Sequence, residues 1–456
     1  MKISRLIIPD FQQFKDFDLD LTYPEGHERA GEPLDKVCFI GGNGTGKSTL
    51  LNLIRDFLID PFQILIKRKK TLLIIKVKIN GTSLYRVTSD SLDLQEIFET
   101  TDDFRMLKSG KKKSVDNDSI QYAYVGNKKL IDVFFAEKIK NNSDSILVFC
   151  PPESSENLFL QLKDFEDVPS TNLDTALSLF KNRPFYNIVS DDKVADFWNT
   201  LIYHIKKREN DFREFESIPE NQIKTVKEVR ELFDKQHKDI LKELAKFWKK
   251  ILDKAGLEFD YEGAKNPIQL TDNLQAYIRL KSTKKHIGYN QLSTGIRNFI
   301  FKLGHIYALY FNRNIESGFL LVDEPENSLF PDFLYDLVDV YTSITKNTQI
   351  FMATHNPIIA AQFQPYERFI LEFEDSTGHV KVRRGTTPAG DDPNDILIKD
   401  FGIRSILGRE GVAKWERYIE LKTLIPLEND PVKKNSMIEE FMQIGSDYNF
   451  AADAVS

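Results

Sequence analysis

The stretch GGNGTGKST, residues 41–49, packs four glycines, one lysine and three hydroxyl side chains into nine positions. That composition suits an oxyanion. Glycines let successive backbone N–H groups converge on one ligand, the start of a helix adds the positive end of its dipole, and the lysine supplies a mobile cation. A nucleotide triphosphate fits this chemistry, held by Gly41, Gly42, Asn43, Gly44, Thr45, Gly46, Lys47, Ser48 and Thr49, with the Ser48 hydroxyl on a Mg²⁺ ion. A second group lies far downstream in FLLVDEPENS, residues 319–328, where four apolar residues deliver two adjacent carboxylates to the end of a buried strand. Asp323 suits a metal ligand, and Glu324 a base that orients and deprotonates water. A further apolar strand, in FMATHNP, ends at His355, 31 positions beyond Glu324 and available to a γ-phosphate or the attacking water.

A fourth motif raises a question of number. In QLSTGIRNFI, residues 291–300, the turn Leu292, Ser293, Thr294 and Gly295 opens an amphipathic helix whose first amides make a second anion cap. One phosphate loop already holds one nucleotide. The second cap is therefore expected to serve the nucleotide of a neighbouring copy.

The elements that must position these groups alternate. KISRLIIPDF, FDLDLTY and KVCFIGG read as strands, the last running into the glycine loop, followed by a helix from about residue 46 to 58. Residues 72–90 form two β-rich runs around Asn80-Gly81, a strong hairpin signal. The lysine-rich segment 91–143 reads as an exposed insertion, DSILVFCPP as a buried strand, and 224–256 as about 30 residues of continuous helix, an arm of ~45 Å. AYIRLKST reads as a strand, a helix is expected from about Ser328, and RFILEFEDSTGHVKVRRG reads as a hairpin before a helical tail. AGDDPND reads as a helix-start turn, not as a metal site.

Composition narrows the class. With 456 residues, 41% hydrophobic content and a formal charge of -7, the chain is globular and not uniformly basic, so nucleic-acid contact would have to be regional. Basic clusters at 67–70, 111–113 and 282–286 are candidates for DNA or a partner, although solvated faces are their plainer reading. Cys38 and Cys150 lie in apolar surroundings without a ligand-spaced neighbour and read as buried structural thiols. A three-residue apolar run before Pro9 is too short for a signal peptide, and no run of about 18 apolar residues occurs. The expectation is a cytoplasmic protein with no membrane contact.

The motif order resembles that of ABC-type ATPases: the loop Asn43 to Ser48, a signature Leu292 to Gly295, the strand end Val322 to Glu324, and a switch histidine at His355. The resemblance implies an α/β fold, an ABC-type P-loop head of mixed sheet and flanking helices, with a large α/β insertion and a helical C-terminal segment. It implies ATP and Mg²⁺, hydrolysis that can be slow, and a head-to-head dimer, or a larger ring, in which each signature closes on the other copy's γ-phosphate. Residues 1–90 would be the N-terminal lobe, 91–265 the insertion, 266–390 the C-terminal lobe and 391–456 the tail. Two features depart from the family: Ile296 stands where Gln, Glu or Lys is common, and only Gln161 offers itself for the Q-loop.

With 243 residues between Ser48 and Leu292, a transporter head is disfavoured. RecF-, Rad50- or SMC-like repair heads acting directly on DNA are the second reading, weakened by the modest arm and the lack of a Cys-x-x-Cys hook. DEPENSL and ATHNP are most similar to the overcoming-lysogenisation-defect-like ATPases of anti-phage defence, above all the PtuA branch of Septu and retron systems, then the PARIS branch. No Toprim acidic pattern is evident after His355, and the PtuA resemblance implies a nuclease in trans, HNH-type first and Toprim-type second.

Overall fold

In the computed structural model, residues 2–59, 72–79, 82–89, 112–114, 121–125, 144–152, 185–190, 194–260, 278–287, 291–311, 313–403, 405 and 407–450 are described. Two compact units meet in the chain at Gly390 and Asp391.

The first unit begins with a hairpin, β1 (Lys2–Phe11) and β2 (Phe14–Asp20), in which apolar residues alternate inward. Strand β3 (Lys36–Gly41) leaves for a second sheet and runs into helix α1 (Lys47–Ile59). Strands β4 (Leu72–Ile79), β5 (Thr82–Ser89), β6 (Lys112–Ser114) and β7 (Gln121–Val125) then extend the hairpin into a six-stranded sheet, β2-β1-β4-β5-β7-β6, whose ladders are all antiparallel. Ile79 faces Thr82 across β4 and β5, so a two-residue connection joins them, as the Asn-Gly signal predicts.

Strands β8 (Ser145–Cys150) and β9 (Tyr186–Ile188) join β3 in the second sheet. The chain next forms α2 (Val194–Ser217), α3 (Val226–Gln236), α4 (Ile240–Lys254), a separate two-stranded ladder of β10 (Leu257–Phe259) with β11 (Ile278–Leu280), and α5 (Thr294–Tyr310). Strand β12 (Ser317–Asp323), helix α6 (Leu337–Ile344), β13 (Thr348–Ala353), β14 (Arg368–Phe373) and β15 (Val380–Arg384) complete the unit. The second sheet has the order β15-β14-β3-β13-β12-β8-β9, parallel except for β15. A strand buried on both faces carries a continuous apolar run, and β12, buried at all seven positions, has Phe319–Val322 at its centre and Asp323 at its carboxyl end.

The core between the sheets joins Leu6, Phe14 and Phe17 of the hairpin to Phe39, Leu50, Leu321 and Phe351. One fully buried glutamine stitches the layers: Gln349 accepts from the Ile3 amide and donates to the Ile3 and Leu34 carbonyls at 2.8–2.9 Å. A buried amide stabilises only when so satisfied.

Two expectations change. The continuous arm is broken, because His237 leaves helical geometry (φ -116, ψ 112) and the Asp239 carboxylate caps a new helix at the Leu241 and Lys242 amides, 2.9 and 3.2 Å away. Nor does it project freely: Trp248 of α4 is buried and donates its indole N–H to the Ile300 carbonyl of α5 at 3.2 Å. The strand expected at AYIRLKST is present as β11, in the small β10–β11 ladder, whereas the helix expected from about Ser328 starts only at Pro331–Leu334 before α6.

The second unit is a helical hairpin, α7 (Arg409–Leu424) and α8 (Pro431–Asp447). Tyr418 stacks on Phe441 at 4.2 Å, and Arg417 grips Glu440 with two bonds of 2.9 and 2.8 Å. Asp392 accepts from the Asn394 amide at 2.9 Å, the helix-start turn predicted for AGDDPND. Among the described residues, no helix is long and apolar enough to cross a membrane.

Candidate functional site

The carboxyl ends of β3, β13 and β12 lie side by side, with Ala353 opposite both Phe39 and Asp323. In a parallel sheet flanked by helices, that edge is where loops converge and ligands sit. Here it gathers Gly41–Thr49, Asp323, Glu324 and His355.

The glycine loop is tightly seated. Gly46 has φ +96, and a Cβ there would run into Phe14 and the Gln13 amide of the β1–β2 turn. Thr45 is buried and bonds the Gly42 carbonyl at 2.9 Å. Lys47, 5% exposed, donates to the Gly41 and Gly42 carbonyls at 2.9 and 3.0 Å, bonds that phosphate oxygens can replace. Burial lowers its pKa from the ordinary 10.5 to about 8, against the pull of Asp323, Glu324 and Glu326.

Asp323 is 2% exposed, and the nearby Ser48 hydroxyl eases the burial of its carboxylate. Burial raises its pKa, and Oδ1 is buried with no hydrogen-bond partner. An orphan carboxylate oxygen beside a hydroxyl, both oxygen donors, is the arrangement a hard divalent cation requires. These residues fit Mg²⁺. Among the described residues no group of three or more His, Cys, Asp or Glu side chains is placed to hold a metal alone.

Glu324 occupies the left-handed region, φ 47, uncommon for a side chain with a Cβ. Its amide bonds Ala353 at 2.9 Å, and Asn327 donates to its carboxylate at 3.1 Å. His355 Nε2 stands 3.9 Å from Glu324 Oε1. Burial, and then the Lys47 charge, lower the histidine's pKa against the pull of Glu324, so the ring is neutral near pH 7.

The signature residues adopt the expected opening: Ser293 caps α5, its hydroxyl 3.5 Å from the Ile296 amide, with Leu292 buried and Ser293 exposed. The reason for Gly295 lies within the chain. A Cβ there would overlap the Ser328 carbonyl, so the turn after Glu324 rests directly on the signature backbone.

Sequence reasoning overlooked Glu326 and Thr354. Glu326 Oε1 accepts from the Thr354 hydroxyl and the His355 amide at 2.7 and 2.8 Å. The motifs containing them are visible in the sequence, but their pairing across 28 residues is not. Gln161 and the cluster at 67–70 lie outside the described residues, as does Lys111; Lys112 and Lys113 lie in β6. In the cluster at 282–286, Lys284 and His286 pair with Glu258 and Asp260 at 2.8 and 3.1 Å, which makes it a locally compensated strand end. Both cysteines are buried and free, and burial raises both thiol pKa values.

A family model described as AAA ATPase domain (AAA_15) matches residues 1–360. No curated protein matches. Among solved structures, the chain is similar to an SMC head bound to the C-winged-helix domain of ScpA (13% identity, TM-score 0.40, 84% of this chain and 97% of that one). It is also similar to the SMC head domain from Thermotoga maritima (12%, 0.41, 85% and 100%) and to a Pyrococcus furiosus Smc head with an extended coiled coil bound to the C-terminal domain of ScpA (11%, 0.40, 84% and 96%).

Proposed function

The chain belongs to the AAA ATPase domain family, and from that premise we propose that it is the ATP-binding and hydrolysing subunit of an anti-phage defence complex, closing head to head on a second copy and controlling a nuclease supplied in trans. The observation that carries the hydrolytic part is the meeting of Lys47, the Ser48–Asp323 pair, Glu324 and His355 at one sheet edge. Loop amides and Lys47 bind the β- and γ-phosphates. Mg²⁺ held by Ser48 and Asp323 supplies charge neutralisation there. Glu324 orients water and takes its proton, while neutral His355 bonds the γ-phosphate end. The exposed turn at Ser293 offers its amides to the triphosphate of the facing copy.

The defence role rests on the resemblance of DEPENSL and ATHNP, and the HNH-type nuclease partner on the same ground. The test combines chemistry with biology. Glu324→Gln should keep ATP affinity within about threefold while cutting turnover by about 10²-fold or more, the share a positioned general base supplies. Co-expression with an HNH-type nuclease encoded beside it should protect cells against phage if the proposal holds, and Lys47→Ala should abolish protection. Normal turnover by Glu324→Gln removes the assigned base; no protection by the wild-type pair removes the defence role, and protection that ignores Lys47 removes the part that ATP plays in it.

A further inference from the structure

Glu324 and His355 sit on different turns, 31 residues apart, yet their side chains come within 3.9 Å. The link between those turns is a third side chain. Glu326 lies on the Glu324 turn, which is closed by the Leu329 amide bonding its carbonyl at 3.0 Å. Its Oε1 crosses to the His355 turn and takes two donors there, the Thr354 hydroxyl at 2.7 Å and the His355 backbone N–H at 2.8 Å. Thr354 is fully buried, bonds the Phe39 carbonyl of β3 through its amide at 3.1 Å, and accepts from the Asn356 amide at 2.9 Å. The second oxygen of Glu326 is buried without a hydrogen-bond partner. A carboxylate kept in such a place is costly unless the bonds on its other oxygen secure something.

We propose that Glu326 is a positioning residue, one that touches neither nucleotide nor water but fixes the His355 backbone so that the imidazole faces Glu324 at the γ-phosphate end. This rests on the hydrolytic reading above. Two rivals make different demands on the side chain. If Glu326 merely braces the loop, its loss lowers stability and scales every activity alike. If it acts through charge, it does so on Lys47, whose electrostatic surroundings include it, and nucleotide affinity must change.

The test uses full-length protein, steady-state ATP hydrolysis and two variants that separate reach from charge. Glu326→Gln keeps an acceptor for both donors but loses the charge; Glu326→Asp keeps the charge but falls one methylene short. The expected result is kcat within about threefold of wild type for Gln and about 10- to 100-fold lower for Asp, with KM within about threefold in both, since small misplacements of a reacting group cost this much. In a His355→Ala background, Glu326→Asp should cost less than about threefold more, because a residue acting through another shows no independent effect. A full additional loss in that background, or an active Asp variant beside an inactive Gln variant, overturns the proposal. A His355→Ala variant with unchanged kcat overturns it too, leaving nothing to position. Wild-type protein that binds ATP without hydrolysing it defeats the hydrolytic reading itself, a result visible before any variant is made.

Discussion

At the scale of single residues, Lys47 is the group whose state is most exposed to conditions. Its pKa stands near 8 because burial penalises the ammonium more than three nearby carboxylates reward it. The folded pKa lies below the unfolded value of 10.5, so the cost of burying the charge is fully present below about pH 8 and is relieved as pH rises toward 10.5. A triphosphate favours the protonated form and should pull that pKa back up. ATP affinity is therefore expected to be flat to about pH 7.5, then to weaken toward a limit of about tenfold per unit above pH 8. Titrating a non-hydrolysable analogue between pH 6.5 and 9.5 measures it, and Lys47→Met should bind weakly with a shallow profile. A steep loss that persists in Lys47→Met would assign the titration to another group.

At the scale of elements, what the sequence discloses depends on how local the cause is. The loop at 41–49 is legible because its glycines, lysine and hydroxyls act within one turn, and β12 because a strand covered on both faces carries an unbroken apolar run, here Phe319–Val322. The break at residues 237–239 has a local cause too, the Asp239 cap, yet the amphipathic period continues through it, so pattern alone joins α3 to α4. The packing of α4 on α5 through Trp248, and the Glu326 to His355 bond, depend on contacts across 52 and 29 positions that no spacing encodes. Gly295 shows the limit most clearly, since a glycine there reads as an anion cap while the structure adds a backbone contact with Ser328. Those two roles separate by experiment. Gly295→Ala should lower the stability of nucleotide-free protein by ~1–3 kcal/mol, the usual cost of overpacking against backbone. Glycine required only for a neighbour's nucleotide would leave the melting temperature of the nucleotide-free protein unchanged.

At the scale of the whole molecule, the two anion caps of one chain pose a matching problem that a second copy would solve. The signature opens on an exposed Ser293, its neighbour Gly295 is pressed on the turn at Ser328, and two residues further along that turn Phe330 is 64% exposed. A solvent-facing phenyl beside a polar cap is a suitable anchor for an interface, since apolar burial supplies affinity while the cap and its phosphate supply register. Closure of two such faces would bury both rings and bring each Ser293 to the other copy's triphosphate. Dimerisation is then linked to nucleotide, because a ligand held by both copies stabilises the closed form by its binding free energy. The expected outcome is that Glu324→Gln, which retains uncleaved ATP, sediments as a dimer with ATP and Mg²⁺ and as a smaller species without them. Ser293→Arg should prevent that shift while leaving the affinity of the isolated chain for ATP within about threefold, and Phe330→Glu should raise the dimer's dissociation constant by about tenfold or more, the loss of one buried anchor. Specific activity should climb with protein concentration in the same range where the dimer forms. A Ser293→Arg protein that hydrolyses ATP at the wild-type rate, independent of concentration, would place a complete catalytic centre in one copy and leave the second cap for some other anion.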